Sequence, residues 1–204
     1  MKLNYITLAI SILLLICSFS YSKSINSNKI VYIYPLGRVE TCYLYKVQEA
    51  IHSFYGYKCV IKPILPISKD IISPIKNRID ASRVLNKYRI RQNILIITER
   101  DICHDKIVLK PTKQILKEYG ILGLGFRPGS ICVISTFRMK RNATKQITLE
   151  RLEKVALHEI GHNLGLDHCT NNKLCLMNDA NGTITQVDKE RVWLCNKCRV
   201  VLEK

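Results

Sequence analysis

Zinc-type ligands are concentrated in one short stretch of this 204-residue chain, and that stretch limits the fold more than any other feature. Residues 158–178 read HEIGHNLGLDHCTNNKLCLMN, and a CNKC pair follows at 195–198. Imidazole and thiolate are the ligands that structural and catalytic zinc sites use, so the chain must fold to bring these side chains close together. His168 and Cys169 are adjacent, so the sequence allows either one mixed metal site or two sites joined by a peptide bond.

Residues 148–164 are predicted to form the main helix, because apolar residues recur along them at helical spacing. Thr148 is the predicted N-cap, and Gly165 can adopt the left-handed conformation that ends a helix with a reversal. His158 and His162 are four residues apart. Their imidazoles therefore project from the same helical face, where they can hold one zinc ion.

Glu159 and His168 complete a catalytic zinc pattern around these two histidines. Glu159 belongs to an H-E-x-x-H arrangement, in which the glutamate acts as the general base of a zinc peptidase. His168 follows Gly165 by three residues and can return to the metal as a third ligand. Three nitrogen ligands leave a fourth position open for water, which is the mark of a catalytic zinc. The alternative, two surface histidines on a helix, does not explain the presence of Glu159, Gly165 and His168.

Four cysteines in two close pairs, Cys169 with Cys175 and Cys195 with Cys198, match a closed tetrahedral zinc site. Two disulfides are the competing interpretation, although pairing within a CxxC is strained. A thioredoxin-type redox role for the CxxC is weaker still, because no βαβ pattern follows it. We therefore expect two zinc ions per chain, one catalytic and one structural.

The N-terminus is typical of a targeting segment, and residues 1–22 are predicted to be a signal peptide. Lys2 is followed by an apolar run at 6–17 and by small residues at 18, 20 and 22. The run is short for a membrane span. An uncleaved anchor, or a lipoprotein signal ending at Ile16 with a lipid on Cys17, is the alternative. We expect an exported protein that is secreted, periplasmic or membrane-anchored.

Four further cysteines are well separated and lie in apolar surroundings: Cys42, Cys59, Cys103 and Cys132. An exported compartment permits disulfides, and four cysteines allow three pairings. Buried free thiols fit the same residues equally well. The sequence leaves both interpretations open.

The formal charge of +16 would attract anionic partners at low salt. The basic residues are scattered, however, and no motif combining aromatic and basic residues points to nucleic acid. We expect a lysine-rich solvated surface and no specific nucleic-acid partner. Residues 23–204 suffice for one domain with its own core, and we expect a monomer that acts on a peptide or protein substrate.

The alternation of apolar runs and helical spacing upstream of residue 148 predicts an α/β fold, with helices packed on a sheet. Residues 63–74 and 123–129 are predicted to be loops. The predicted strands are 29–34, 58–62, 93–98, 106–110 and 130–135, and the predicted helices are 40–55, 80–88 and 112–119.

The combined motifs resemble those of the archaemetzincins, a family of metzincin-clan zinc metalloproteases. The family pattern is HExxHxxGxxHC, a nearby CxM, and a CxxC seventeen residues after the methionine, an interval that residues 178–194 reproduce. One spacing departs from it, because five residues, 170–174, separate the first two cysteines where the family usually has four. Segments 35–37, 94–101 and 132–138 also look like the family, so the resemblance covers nearly all of 23–204.

The resemblance implies a compact metzincin-like α/β domain, with a twisted mixed sheet, an active-site helix and a zinc-stapled C-terminal subdomain at 169–204. Met177 would form the Met-turn, a hydrophobic floor beneath the catalytic zinc, and Glu159 would be the general base. The activity implied is hydrolysis of peptide bonds, in short peptides or at N-termini as an aminopeptidase. The implied zinc ligands are His158, His162 and His168 for the catalytic ion, and Cys169, Cys175, Cys195 and Cys198 for the structural ion.

Two other functions compete with a peptidase. A non-enzymatic zinc-binding or interaction module would use the basic surface and the cysteine site, yet it has no need for Glu159 or for an open metal position. A redox protein would cycle Cys195 and Cys198 between thiol and disulfide in the absence of metal.

Overall fold

A computed structural model of the chain describes residues 29–108 and 114–203. The predicted signal peptide at 1–22 and the alternative lipid anchor at Cys17 lie outside these residues. No helix within the described ranges is long and apolar enough to cross a membrane. The elements are β1 Ile30–Pro35, α1 Thr41–Tyr55, β2 Lys58–Ile61, a 3₁₀ turn Lys69–Ile71, β3 Ile79–Asp80, α2 Ala81–Tyr88, β4 Asn93–Thr98, β5 Ile102–Val108, β6 Gln114–Ile121, β7 Gly123–Gly125, β8 Ile131–Ser135, α3 Lys145–Asn163, α4 Ile184–Lys189 and α5 Asn196–Leu202.

The main sheet has five strands in the order β2-β1-β4-β8-β7. Its first four strands are parallel, and β7 pairs with β8 in the antiparallel direction. The central strand β4 is a continuous apolar run because both of its faces are covered. Ile94 and Ile96 point into one core cluster, whereas Leu95 and Ile97 point into the other. The predicted mixed α/β architecture is confirmed.

Helices cover both faces of this sheet and build a three-layer arrangement. Residues of α1 and α3 share a core cluster with Leu95 and Ile97, and α2 packs with Ile94 and Ile96 on the opposite face. The C-terminal segment after residue 169 contributes Leu176, Met177 and its cysteines to the α1–α3 cluster. The cysteine segment is therefore packed against the same core that positions the main helix.

The prediction of a helix at 112–119 is wrong. Residues 114–121 form β6, which pairs antiparallel with a β5 longer than the predicted edge strand, in a second sheet ordered β3-β5-β6. The backbone N–H of Glu118 donates to Asp105 Oδ1 at 2.9 Å, and Glu118 has a φ of 48°, which a helix does not permit. Pairing with a distant strand thus overrides the helix propensity of this segment.

The main helix begins earlier than predicted. It starts at Lys145, and Thr144 is its N-cap, because the Thr144 side chain accepts a hydrogen bond from the backbone N–H of Ile147. Thr148, the predicted cap, lies inside the helix, where its hydroxyl donates to Thr144 O at 2.9 Å. Gly165 takes a φ of 95°, so the predicted reversal after the helix is confirmed.

Residues 123–125, predicted as part of a loop, form the edge strand β7 beside the main helix. A Cβ at Gly123 would lie 2.6 Å from Glu159 Oε1, and one at Gly125 would lie 3.0 Å from Glu159 O. Both positions therefore need glycine for the strand to approach α3 this closely. The loop was predicted because of these glycines. In the structure they allow the backbone of β7 to approach α3 closely.

Candidate metal centres

Three histidines converge at the C-terminal end of α3. His158 and His162 lie on one face of the helix with ring centroids 4.6 Å apart, and the reversal at Gly165 brings His168 back to them. The His168 centroid is 5.4 Å from that of His158 and 4.8 Å from that of His162. One ligand nitrogen from each ring lies within 4.8 Å of the other two.

Backbone carbonyls orient two of these rings. His158 Nδ1 is 2.8 Å from Leu176 O, and His162 Nδ1 is 2.8 Å from Leu166 O. A carbonyl accepts only from a protonated Nδ1, which fixes the neutral tautomer with its Nε2 lone pair free for a metal. Burial, with the neighbouring His162 as a smaller cause, lowers the pKa of His158 to about 3, so this ring is neutral at physiological pH.

The third histidine is more exposed and has a carboxylate beside it. His168 Nδ1 is 3.8 Å from Asp179 Oδ2, while its Nε2 is 3.2 Å from His162 Nε2. Nitrogens bound to one tetrahedral zinc at about 2.0–2.1 Å lie about 3.3 Å apart, so this pair already has the spacing of a shared ion. Asp179 was not found from the sequence, because nothing in its local pattern connects it to the histidines.

Glu159 lies beside the histidine cluster on the cavity side of α3. Its side chain is 6% exposed and lines a cavity of about 350 Å³ together with the three histidines. Burial raises the pKa of Glu159 to about 8. The structure therefore brings the carboxyl and the three imidazoles of the HEIGHNLGLDH motif to one cavity wall.

Met177 lies under the helix and is fully buried. A Cβ at Gly161, between the first two histidines in sequence, would come within 2.5 Å of Met177 Sδ. The preceding residue, Leu176, supplies the carbonyl that faces His158. The turn that carries Met177 is thus packed directly against the histidine-bearing helix, as a floor.

The four C-terminal cysteines form a second, separate cluster. All four are buried, with Sγ atoms within 4.8 Å of one another. The sulfur separations are 3.6 Å for Cys169–Cys195, 3.8 Å for Cys175–Cys198 and 3.7 Å for Cys195–Cys198. Four thiolates about 2.3 Å from one zinc would lie about 3.8 Å apart, whereas a disulfide needs about 2.05 Å. The geometry fits a tetrahedral metal site, and no disulfide joins these cysteines.

The stretch between the first two cysteines accommodates its extra residue in a turn centred on Asn172. Asn172 Oδ1 accepts from the backbone N–H of Leu174 at 2.8 Å, and Asn172 O accepts from that of Cys175 at 3.1 Å. Asn178 Nδ2 donates to Asn172 O at 3.2 Å and to Cys169 O at 3.0 Å. The departure from the family spacing therefore leaves Cys169 and Cys175 in one cluster.

The other four cysteines of the described residues are free thiols: Cys42, Cys59, Cys103 and Cys132. Burial raises the pKa of Cys59 to about 12 and of Cys103 to about 11, so both are protonated at neutral pH. Of the two interpretations left open by the sequence, the structure has the thiol form.

The second sheet closes the far side of the cavity. Tyr119 on β6 donates its hydroxyl hydrogen to Asn181 O at 2.7 Å, and Lys106 Nζ on β5 donates to Asn181 Oδ1 at 2.8 Å. These bonds hold the 179–182 loop against the second sheet, and this loop, β7 and the histidines line the same cavity. The helix prediction for 112–119 missed this wall, since pairing between β5 and β6 is not a local property of either segment.

Comparisons with known proteins agree with this geometry. The profile described as peptidase family M54 matches residues 70–204. The archaemetzincin of Haloarcula marismortui is 39% identical over 87 residues, covering 39% of this chain and 49% of that relative, so the chain spans about half of its length. The archaemetzincin of Pyrococcus abyssi is 28% identical over 183 residues, covering 85% and 94% of the two chains. The crystal structure of an Archaeoglobus fulgidus archaemetzincin complexed with malonate superposes with a TM-score of 0.70 at 25% identity, covering 84% of this chain and 99% of that one.

Proposed function

This chain belongs to peptidase family M54, the archaemetzincins, and on that premise we propose that it is a zinc-dependent metallopeptidase. One observation carries the proposal: three imidazoles and the buried carboxyl of Glu159 face the same cavity, which also runs along the edge strand β7. A site built only to hold a structural ion would have no need of that carboxyl or of that opening.

His158, His162 and His168 would hold the catalytic zinc through Nε2. Their donor set fits this ion, because two of the rings have Nδ1 engaged by carbonyls and the 3.2 Å separation of two Nε2 atoms matches a shared tetrahedral ligand set. When bound, zinc supplies Lewis acidity that makes water a nucleophile near neutral pH and polarises a carbonyl. Cys169, Cys175, Cys195 and Cys198 would hold a second, structural zinc, and this makes two ions per chain.

Glu159 acts as the general base and then as the general acid. Its carboxylate accepts a proton from the attacking water, and the resulting carboxylic acid delivers that proton to the leaving amine. Burial raises the pKa of this group to about 8, and a nearby dication would favour the charged form and oppose that rise. Burial and a bound dication therefore act on the pKa of this carboxyl in opposite directions.

Strand β7 positions the substrate. It is the edge of the five-stranded sheet, and residues 122–125 line the same cavity as Glu159. An extended peptide can add to such an edge through main-chain hydrogen bonds, whatever its side chains. The closeness of Gly123 to Glu159 would place a peptide bond of that added strand beside the base.

The test is peptide hydrolysis by the purified, zinc-loaded chain and by its Glu159→Gln variant. The variant should lose at least about a hundredfold in kcat while it keeps its zinc and its thermal stability. Glu150→Gln is the matched control, because Glu150 is an exposed carboxylate on the same helix, bound only to Gln146 in the described structure. Undiminished hydrolysis in Glu159→Gln would rule out the proposed base.

We further propose that the chain works outside the cytoplasm as a monomer on peptide or protein substrates, and that nucleic acid is not a specific partner. The motif pattern at residues 1–22 supports export, and the scattered basic residues support a solvated surface. N-terminal sequencing of the protein from a culture medium or periplasmic fraction tests the first point. Recovery of the intact chain from the cytosol alone would contradict it.

A further inference from the structure

The cavity at the histidines continues away from them, along the main helix toward α4. Val155 lies three residues before His158 on α3, and it lines the extension together with Val187 and Glu190. The two valines are buried. This part of the cavity therefore has apolar sides and the acidic side chain of Glu190, and Asp179 lines the same cavity.

Glu190 has no ion-pair partner among the described residues that explains its burial. The residue is 4% exposed, and its Oε1 has no hydrogen-bond donor among the described residues. Burying a carboxylate oxygen in this way is costly, so native proteins pair such groups with few exceptions. Burial raises the pKa of Glu190 to about 7, against weaker opposing effects of a hydrogen bond from Gln186 and of the charge on Lys154.

The cations on this wall are engaged elsewhere. Lys154 Nζ donates to Val187 O at 2.9 Å and to Asp188 O at 3.4 Å. Arg151 makes a two-point contact with the Asp188 carboxylate at 2.7 and 2.8 Å. These bonds fix α4 to α3 and hold Glu190 in place, yet no cation of the described residues forms an ion pair with Glu190 itself. Glu190 therefore lines the cavity without an ion-pair partner from this wall.

We propose that Glu190 is a specificity residue, which receives the cationic side chain of a lysine or arginine adjacent to the scissile bond of the substrate. The methylene stem of such a side chain would pack against Val155 and Val187, and its charged end would meet the Glu190 carboxylate. The cation would supply the partner that Oε1 lacks. A pocket built around a buried polar group discriminates strongly against ligands that leave the group unpaired. This inference rests on the proposed peptidase function, because it identifies the substrate class of the same site.

The experiment uses the full zinc-loaded chain and N-acetylated peptides, so that no free α-amine is present to act as the cation. The peptides are identical except for lysine, arginine, norleucine or glutamate at each position flanking the scissile bond. We measure kcat/KM in the wild type and, separately, the affinity of the Glu159→Gln variant for the same peptides. Lysine and arginine peptides should be favoured over norleucine about tenfold or more at one flanking position.

Glu190→Gln is nearly the same size and removes the charge, and Glu150→Gln removes an exposed charge from the main helix as a control. The preference for a cation should disappear in the first and persist in the second, with zinc content and melting temperature unchanged in both. A preference that survives Glu190→Gln, or its absence from the wild type, would overturn the inference. If no peptide is cleaved, the peptide affinities of the Glu159→Gln variant decide. A preference for lysine and arginine peptides that is lost when Glu190→Gln is added leaves this inference standing and removes the peptidase proposal. Equal affinities for all peptides remove both.

Discussion

Gly161 lies where the main helix crosses the Met177 turn, and its replacement by alanine is the most direct probe of that packing. A Cβ there would lie 2.5 Å from Met177 Sδ, 3.1 Å from Met177 Cε and 3.2 Å from the Tyr55 hydroxyl oxygen. Two effects oppose each other. Alanine is favoured over glycine within a helix by about 1 kcal/mol. Forcing a methyl group into a filled core costs about 1–3 kcal/mol.

The packing cost should prevail at this position. Met177 is 0% exposed, so its thioether has no solvent-filled space to move into. The Tyr55 hydroxyl is held by a 2.8 Å hydrogen bond to Leu157 O, which limits its movement as well. We expect Gly161→Ala to lower the free energy of unfolding by about 1–2 kcal/mol, which for a chain of this size lowers Tm by about 2–8 °C.

Urea unfolding at one fixed zinc concentration measures the effect, with Met177→Ala and the double variant completing a cycle. Met177→Ala alone should cost about 2–5 kcal/mol, because it leaves a cavity in the core. In that background the clash is gone, so adding Gly161→Ala should become neutral or stabilising by up to about 1 kcal/mol. An equal loss in both backgrounds would refute the reasoning, because the cost would then arise from something other than Met177.

Three further outcomes follow from the structure. Cys195→Ser should release one of two zinc ions per chain and lower Tm, because a structural zinc contributes folding free energy directly; unchanged zinc content and Tm would contradict the cysteine site. Hydrogen bonds from Arg151 hold the pKa of Asp188 below its usual value, so the stability that this pair adds is present above about pH 4 and is lost as the pH falls through the folded-state pKa. The stability gap between the wild type and Asp188→Asn in urea titrations should therefore narrow below about pH 4, and a gap independent of pH would argue against the ion pair. Thr144→Ala should cost about 1 kcal/mol by removing the N-cap of the main helix, whereas Thr144→Ser should cost little; equal losses would indicate that the hydroxyl is not the cap.

The features that were predicted correctly from the sequence follow from the spacing of residues within a single helix or strand. Two histidines four residues apart must share a helical face, and a glycine three residues after the second one must allow a reversal. The continuous apolar run at 93–98 is typical of a central strand covered on both sides, and it forms β4. Each of these inferences uses residues within one element, and the geometry of each follows from the regular repeat of helix or strand.

The features that could not be predicted from the sequence depend on contacts between distant segments. Residues 114–121 look helical in isolation, yet the pairing partner that makes them a strand precedes them in β5. Thr144 and Thr148 are both plausible caps, and only the fold shows which backbone N–H groups remain free. Asp179 and Glu190 reach the cavity through loops whose course depends on the second sheet and on the Arg151–Asp188 contact. No periodic pattern marks such residues in advance.

The segment 168–178 belongs to both clusters at once. The backbone N–H of Cys169 donates to Met177 O at 2.7 Å, and the carbonyl between Cys175 and Met177, that of Leu176, faces His158. The turn that places the thiolates thus also orients the imidazole of His158, and His168 is the residue next to Cys169. Metal binding at the cysteine cluster and at the histidine cluster should therefore be coupled, so that occupancy of either one raises the affinity of the other. A chelator selective for the cysteine cluster would then act as an inhibitor at a distance, without entering the substrate cavity.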